Sequence, residues 1–174
     1  GLGVWAANPG QETQDAVSCA LEVGYRHIDT ASMYGNEQDV GSALNACGVS
    51  RNEIFVTTKV WETEQGYEPT LRAFGQSQQK LGLEFVDLYL IHWPVEGQRV
   101  DTWQALERLQ DEGRVKSIGV SNFSPSHLQE IFESGKQRPT VNQIELSPFL
   151  QQRTVADFTR SAGIHLTAYC PLAR

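Results

Sequence analysis

Glycine recurs along this chain at spacings that few folds can use. Gly24, Gly48, Gly82, Gly113, Gly135 and Gly163 each follow a stretch that reads as a helix. Glycine just past a helix end enters the left-handed conformation without a Cβ clash, so each marks a helix stop. A short apolar or β-branched run follows every one: residues 25–28, 54–58, 85–91, 115–120, 140–144 and 166–169. Such runs read as strands. The segments between them carry helical spacing. Ala16, Val17, Ala20 and Leu21 share one face of the first, and Trp103, Leu106 and Leu109 recur at threes in the fourth. Ser124-Pro125 reads as a cap with proline in the first turn of the fifth.

Helix then strand, six times over, implies parallel strands joined by right-handed crossovers. An open doubly wound sheet and a (β/α)8 barrel both satisfy that order. The sequence has no G-x-G-x-x-G, which weakens the dinucleotide-binding sheet. Taking residues 2–4 as the tail of a first strand gives seven strands and six helices. A full barrel takes about 250 residues. The expectation is an α/β chain forming an incomplete (β/α)8 TIM barrel, strands 1–7. On the same expectation residues 1–174 form a single domain, truncated at both ends and lacking the last strand and last two helices.

Composition narrows the function classes. The formal net charge of -7 argues against general affinity for nucleic acid or an anionic membrane. Cys19, Cys47 and Cys170 are odd in number and lack C-x-x-C spacing, which favours a reducing, cytoplasmic setting over a disulfide framework. No apolar run suggests a membrane span, and the N-terminus lacks a signal-peptide plan. His27, His92, His127 and His165 are scattered without metal-ligand spacing, so no metal is expected.

The chemistry lies at the strand ends. Asp29 ends strand two, Lys59 strand three and His92 strand four. Ser121-Asn122 end strand five, Gln143 falls at the end of strand six, and Tyr169-Cys170-Pro171 close strand seven. Tyr34 lies just past Asp29. In a barrel these ends open onto one face. A carbonyl that accepts hydride needs a proton on its oxygen, and a tyrosine hydroxyl supplies one. Its ordinary pKa of about 10 is high, and a neighbouring ammonium such as Lys59 lowers it. Asp29 could hold that ammonium and His92 could orient the carbonyl oxygen. Singly, each has a plain alternative: a turn aspartate, a packing tyrosine, a snorkelling lysine, a core histidine. Trp5, Trp61 and Trp93 all follow strands and suit either core packing or an apolar substrate wall. Ser121, Asn122 and Gln143 suit an amide ligand or loop caps, and Tyr169 suits stacking on a flat ring.

At these residues the chain resembles the aldo-keto reductases. The matching segments are 24–31 (GYRHIDTA), 34–37 (YGNE), 57–59 (TTK), 87–94 (DLYLIHWP), 118–123 (IGVSNF), 142–145 (NQIE) and 168–172 (AYCPL). The run 143–151 is closest in look to bacterial 2,5-diketo-D-gluconate and methylglyoxal reductases. The resemblance implies an NADPH-dependent oxidoreductase reducing small aldehydes and ketones, monomeric when full length. Tyr34 is then the proton donor, with Asp29, Lys59 and His92 as catalytic partners. Gly3, Asp29, Ser121, Asn122, Gln143, Tyr169, Cys170 and Leu172 would meet the cofactor. Trp5, Tyr34, Trp61, His92 and Trp93 would meet the substrate. The alternatives are a non-catalytic cofactor-binding or regulatory member, an inactive fragment, and a barrel aldolase using Lys59 as a Schiff base.

Overall fold

The structure is a computed structural model describing residues 1–173. Its strands are β1 (Leu2–Gly3), β2 (His27–Asp29), β3 (Phe55–Val60), β4 (Val86–Ile91), β5 (Val115–Ser121), β6 (Val141–Glu145) and β7 (His165–Tyr169). The helices are α1 (Gln11–Glu22), α2 (Glu37–Ala46), α3 (Tyr67–Leu81), α4 (Arg99–Asp111), α5 (Pro125–Ser134) and α6 (Arg153–Ser161). All seven strands are parallel and pair in chain order. This is the seven-stranded, six-helix part of a (β/α)8 barrel, nearly closed, as the glycine rhythm implied.

Burial follows the period of each element. Val17, Ala20 and Leu21 of α1 and Trp103, Leu106 and Leu109 of α4 are buried, as their helical spacing requires. Every residue of β4 is buried, because the barrel interior covers one face and helices the other. Residues of β2 and β3 alternate: Ile28, Val56 and Val60 join the apolar layer beneath the helices. Asp29 and Lys59 face each other inside the barrel.

The far end of the barrel is stapled by a carboxylate. Asp87 accepts from Arg51 Nη2 at 2.6 Å, from the Val56 N–H at 2.9 Å and pairs with Lys116 Nζ at 3.1 Å. Phe85 lies under both cations, 4.3 Å from the Arg51 guanidinium and 4.0 Å from the Lys116 ammonium.

Two expectations need correction. Five of the six punctuating glycines have positive φ, but Gly135 has φ −89° and is extended. Glycine is required there for space: a Cβ would lie 2.6 Å from Trp103 Nε1. The strand over 25–28 begins two residues later, at His27. The Tyr25 N–H instead bonds Ala20 O at 2.8 Å and closes the end of α1. Elsewhere the strand limits shift by one or two residues. The cap at Ser124 holds: its Oγ accepts the His127 N–H at 3.3 Å, and His127 Nδ1 accepts the Ser124 N–H at 3.3 Å.

Candidate active site

Lys59 is the centre of the barrel mouth. It lies on β3, its side chain is 1% exposed, and its ammonium is surrounded by oxygens. It forms a short ion pair with Asp29 Oδ1, donates to Thr30 O at 2.9 Å and lies 3.4 Å from the Tyr34 hydroxyl. A charge this buried persists only when paired and hydrogen-bonded, and Lys59 is both. Gln143 Nε2 donates to the other Asp29 oxygen at 2.8 Å, across the barrel from β6 to β2.

Tyr34 is held by the residues that follow it. A 3-10 turn, Ser32–Tyr34, ends at Gly35 with φ 70°, where a left-handed turn is needed. Asn36 is buried; it accepts from Thr30 Oγ1 at 2.9 Å and donates to Val4 O at 3.0 Å. Glu37 opens α2 and accepts from Thr58 Oγ1 at 2.6 Å. Thr58 precedes Lys59 on β3, so these bonds tie the tyrosine segment to the lysine strand. Thr30, Asn36 and Glu37 lie in the segments 24–31 and 34–37 that carry the family resemblance, but nothing in the sequence alone marks these bonds.

His92 follows β4, its N–H donating to Val60 O at 3.2 Å. Its ring meets Tyr34 edge-on at 5.6 Å and Trp61 at 5.1 Å. Burial, with a smaller push from the Lys59 charge, lowers its pKa to about 4. At neutral pH it is therefore a neutral imidazole that offers one N–H.

For Tyr34 the expected direction is reversed. Lys59 does pull its pKa down, but burial pushes it up by more, so the net shift is upward. The hydroxyl stays protonated at neutral pH.

A second group lines the tops of β5–β7. Tyr169 OH donates to Asn122 Oδ1 at 2.9 Å. Asn122 Nδ2 lies 3.0 Å from Ser121 Oγ and 3.1 Å from His92 O. Ser121 Oγ donates to Gln143 O at 2.9 Å. Asn122 has φ 63°, a conformation that asparagine tolerates. Gly3 pairs with Asp29 in register, and a Cβ there would meet nothing within 4 Å. Cys170 is half-buried close enough to Tyr34 to bear on its ionisation. Trp5 and Trp93 are exposed and Trp61 half-buried. Leu172 is 93% exposed and packs on none of these groups. Met33, beside Tyr34, also stands exposed and was not singled out from the sequence.

Against known proteins, the profile of the Aldo/keto reductase family matches residues 1–174. The chain belongs to this family. It is 57% identical to the 9,11-endoperoxide prostaglandin H2 reductase of Trypanosoma cruzi (strain CL Brener), covering 99% of this chain and 61% of that protein. It is 50% identical to the methylglyoxal reductase DkgA of Yersinia pestis, covering 100% of this chain and 62% of that protein. The chain thus spans less than two thirds of the curated relatives it matches. A crystal structure of a Gox0644 point mutant in complex with NADPH superposes with TM-score 0.92 at 48% identity, covering 99% of this chain and 62% of that one.

Aldo/keto reductases use a nicotinamide cofactor, and the donor set here fits one. A carboxamide needs a donor partner for its carbonyl oxygen and acceptor partners for its two N–H groups. Ser121 and Asn122 offer a hydroxyl and an amide in one hydrogen-bonded row that runs on to the Gln143 backbone carbonyl, while the Gln143 side-chain amide holds Asp29. The Tyr169 phenol ring stands at its end.

Proposed function

We propose that the protein reduces small aldehydes and ketones to alcohols, with NADPH as hydride source and Tyr34 as proton donor. The observation that carries this reading is the convergence of Asp29, Lys59, Tyr34 and His92 on one barrel mouth. The NADPH complex of the related structure supports the cofactor, and the methylglyoxal reductase supports a small dicarbonyl as substrate. On this reading residues 1–174 act as one catalytic domain.

Ser121, Asn122 and Gln143 would hold the carboxamide, Tyr169 would offer its ring to the nicotinamide, and Gly3, Asp29 and Cys170 would border the cofactor. When bound, the cofactor supplies the hydride. The chain's own groups handle the oxygen. His92, neutral, donates its N–H to the carbonyl oxygen and orients it between Tyr34 and Trp61. Tyr34 gives its proton to that oxygen as negative charge develops there. The phenolate left behind is stabilised by the Lys59 ammonium at 3.4 Å. Asp29 keeps that ammonium in place, and the indoles of Trp5, Trp61 and Trp93 form the apolar wall for the substrate. A Schiff-base role for Lys59 is disfavoured by its three oxygen partners, which already engage its nitrogen.

The test is NADPH consumption with methylglyoxal by wild type and Tyr34→Phe. Loss of the hydroxyl should lower kcat by about 10²- to 10⁴-fold. Cofactor binding, read by tryptophan fluorescence quenching, should persist. Normal turnover by Tyr34→Phe would refute the proton-donor role.

A further inference from the structure

Behind the lysine strand, three buried polar atoms have no hydrogen-bond partner among the described protein groups: Glu37 Oε2, Ser77 Oγ and Tyr89 OH. Glu37 and Ser77 are each 1% exposed and Tyr89 is fully buried. Leaving one such group unsatisfied costs about 1–3 kcal/mol, so three at one place call for a shared explanation.

Their juxtaposition follows from packing. Helices α2 and α3 touch backbone to backbone where Gly41 meets Leu81; a Cβ on Gly41 would lie 2.7 Å from the Leu81 carbonyl carbon. Both helices run in the same sense, as successive crossovers of a parallel barrel must. Four residues, one turn, before Gly41 is Glu37; the same step before Leu81 reaches Ser77. The two side chains therefore sit at one level of the α2–α3 groove. Lys80, three residues from Ser77 on α3, confirms the level: its Nζ lies 3.8 Å from Glu37 Oε2. The floor of the groove is β3–β4. Thr58 and Tyr89 are register partners there. Thr58 donates to Glu37 Oε1 at 2.6 Å, and Tyr89 packs edge-on against Phe74 of α3 at 4.9 Å. Phe74 is three residues from Ser77, so the Tyr89 ring lies under this stretch of α3, and the Glu37 charge acts on its hydroxyl.

We propose that Glu37 Oε2, Ser77 Oγ and Tyr89 OH enclose one internal water. The site has the donor and acceptor balance that a water needs. The water donates to the carboxylate oxygen and accepts from the two hydroxyls, within the usual two to four partners of a buried water. Burial and the Glu37 charge hold the Tyr89 hydroxyl far above the usual phenol range, so it remains a donor. The water completes the coordination of Glu37, whose other oxygen fixes Thr58 and through it the strand bearing Lys59. It is a positioning device behind the barrel mouth and does not depend on the reaction proposed above.

Two measurements test it on this chain. A crystal structure that orders solvent should show one peak within about 3.2 Å of all three atoms. Direct Glu37–Tyr89 or Glu37–Ser77 hydrogen bonds with no peak between them would overturn the proposal. A double-mutant cycle of Ser77→Ala and Tyr89→Phe, read as urea midpoint, should be non-additive. The double variant should lose clearly less than the sum of the singles, because either single already releases the water. Additive losses would mean that the hydroxyls act independently and would refute a shared water.

Discussion

Replacing Lys59 by Met removes the charge and keeps most of the side-chain volume, so it isolates what the ammonium does. In the wild type that ammonium holds Asp29 Oδ1, Thr30 O at 2.9 Å and Tyr34 OH at 3.4 Å. After the change, Asp29 keeps only the Gln143 amide at 2.8 Å. Breaking a buried ion pair by removing one partner costs about 3–5 kcal/mol. The Asp29 side chain is 16% exposed, so water softens the loss, and about 3 kcal/mol is expected in urea unfolding. Removing both charges in Lys59→Met with Asp29→Asn leaves no orphan ion, and stability should recover by about 1 kcal/mol or more. Activity should not recover with it. Without Lys59 the upward push of burial on Tyr34 is opposed by no cation, so its titration should move higher still. Carbonyl reduction should fall by about 10²-fold or more, or at least about 3 kcal/mol in the barrier. The assays are steady-state oxidation of reduced nicotinamide and ultraviolet difference titration of the tyrosines, against Tyr34→Phe as reference. A Lys59→Met protein with wild-type kcat and an unmoved Tyr34 titration would refute the coupling argued from this geometry.

Further outcomes follow from other parts of the structure. His92 is depressed to about 4 from an ordinary value of about 6.5. Its stabilising share is present above about pH 6.5 and is lost as pH falls toward about 4, amounting to about 3 kcal/mol. His92→Gln should flatten urea stability across that window, and an unchanged slope would contradict the burial argument. Asp87→Ala leaves Arg51, Lys116 and the Val56 N–H without their common acceptor and should cost about 3 kcal/mol in urea unfolding. Because Asp87 is remote from the mouth, cofactor affinity of that variant should hold. Gly41→Ala drives a methyl into the Leu81 backbone and should cost about 1–3 kcal/mol, read as a lowered thermal midpoint.

What the sequence revealed and what it concealed divide along a physical line. The barrel was legible because its signals are local. A glycine that must take positive φ and an apolar run after it need no knowledge of the rest of the chain, and Gly24, Gly48, Gly82, Gly113 and Gly163 all behave so. The positions of Asp29, Lys59 and His92 were legible for the same reason, since a strand end is a local feature that topology alone turns into convergence. Gly135 shows where local reasoning fails. Its glycine answers to Trp103, 32 residues away in sequence, and nothing near Gly135 announces that. The Asp29–Gln143 bond joins residues 114 apart and is equally silent in sequence. Tyr34 shows a subtler failure. The sign of each influence on its hydroxyl could be written from residue types, a cation lowering its pKa and burial raising it. Which one wins depends on how tightly His92 and the turn through Gly35 enclose the ring, and that is a property of packing. The outcome matters for the chemistry proposed above: with burial dominant, the resting tyrosine keeps the proton that it would donate. On that proposal the Lys59 charge exerts its main effect once the proton has left, and the ion pair behind Tyr34 stabilises the product of proton transfer rather than activating the starting hydroxyl.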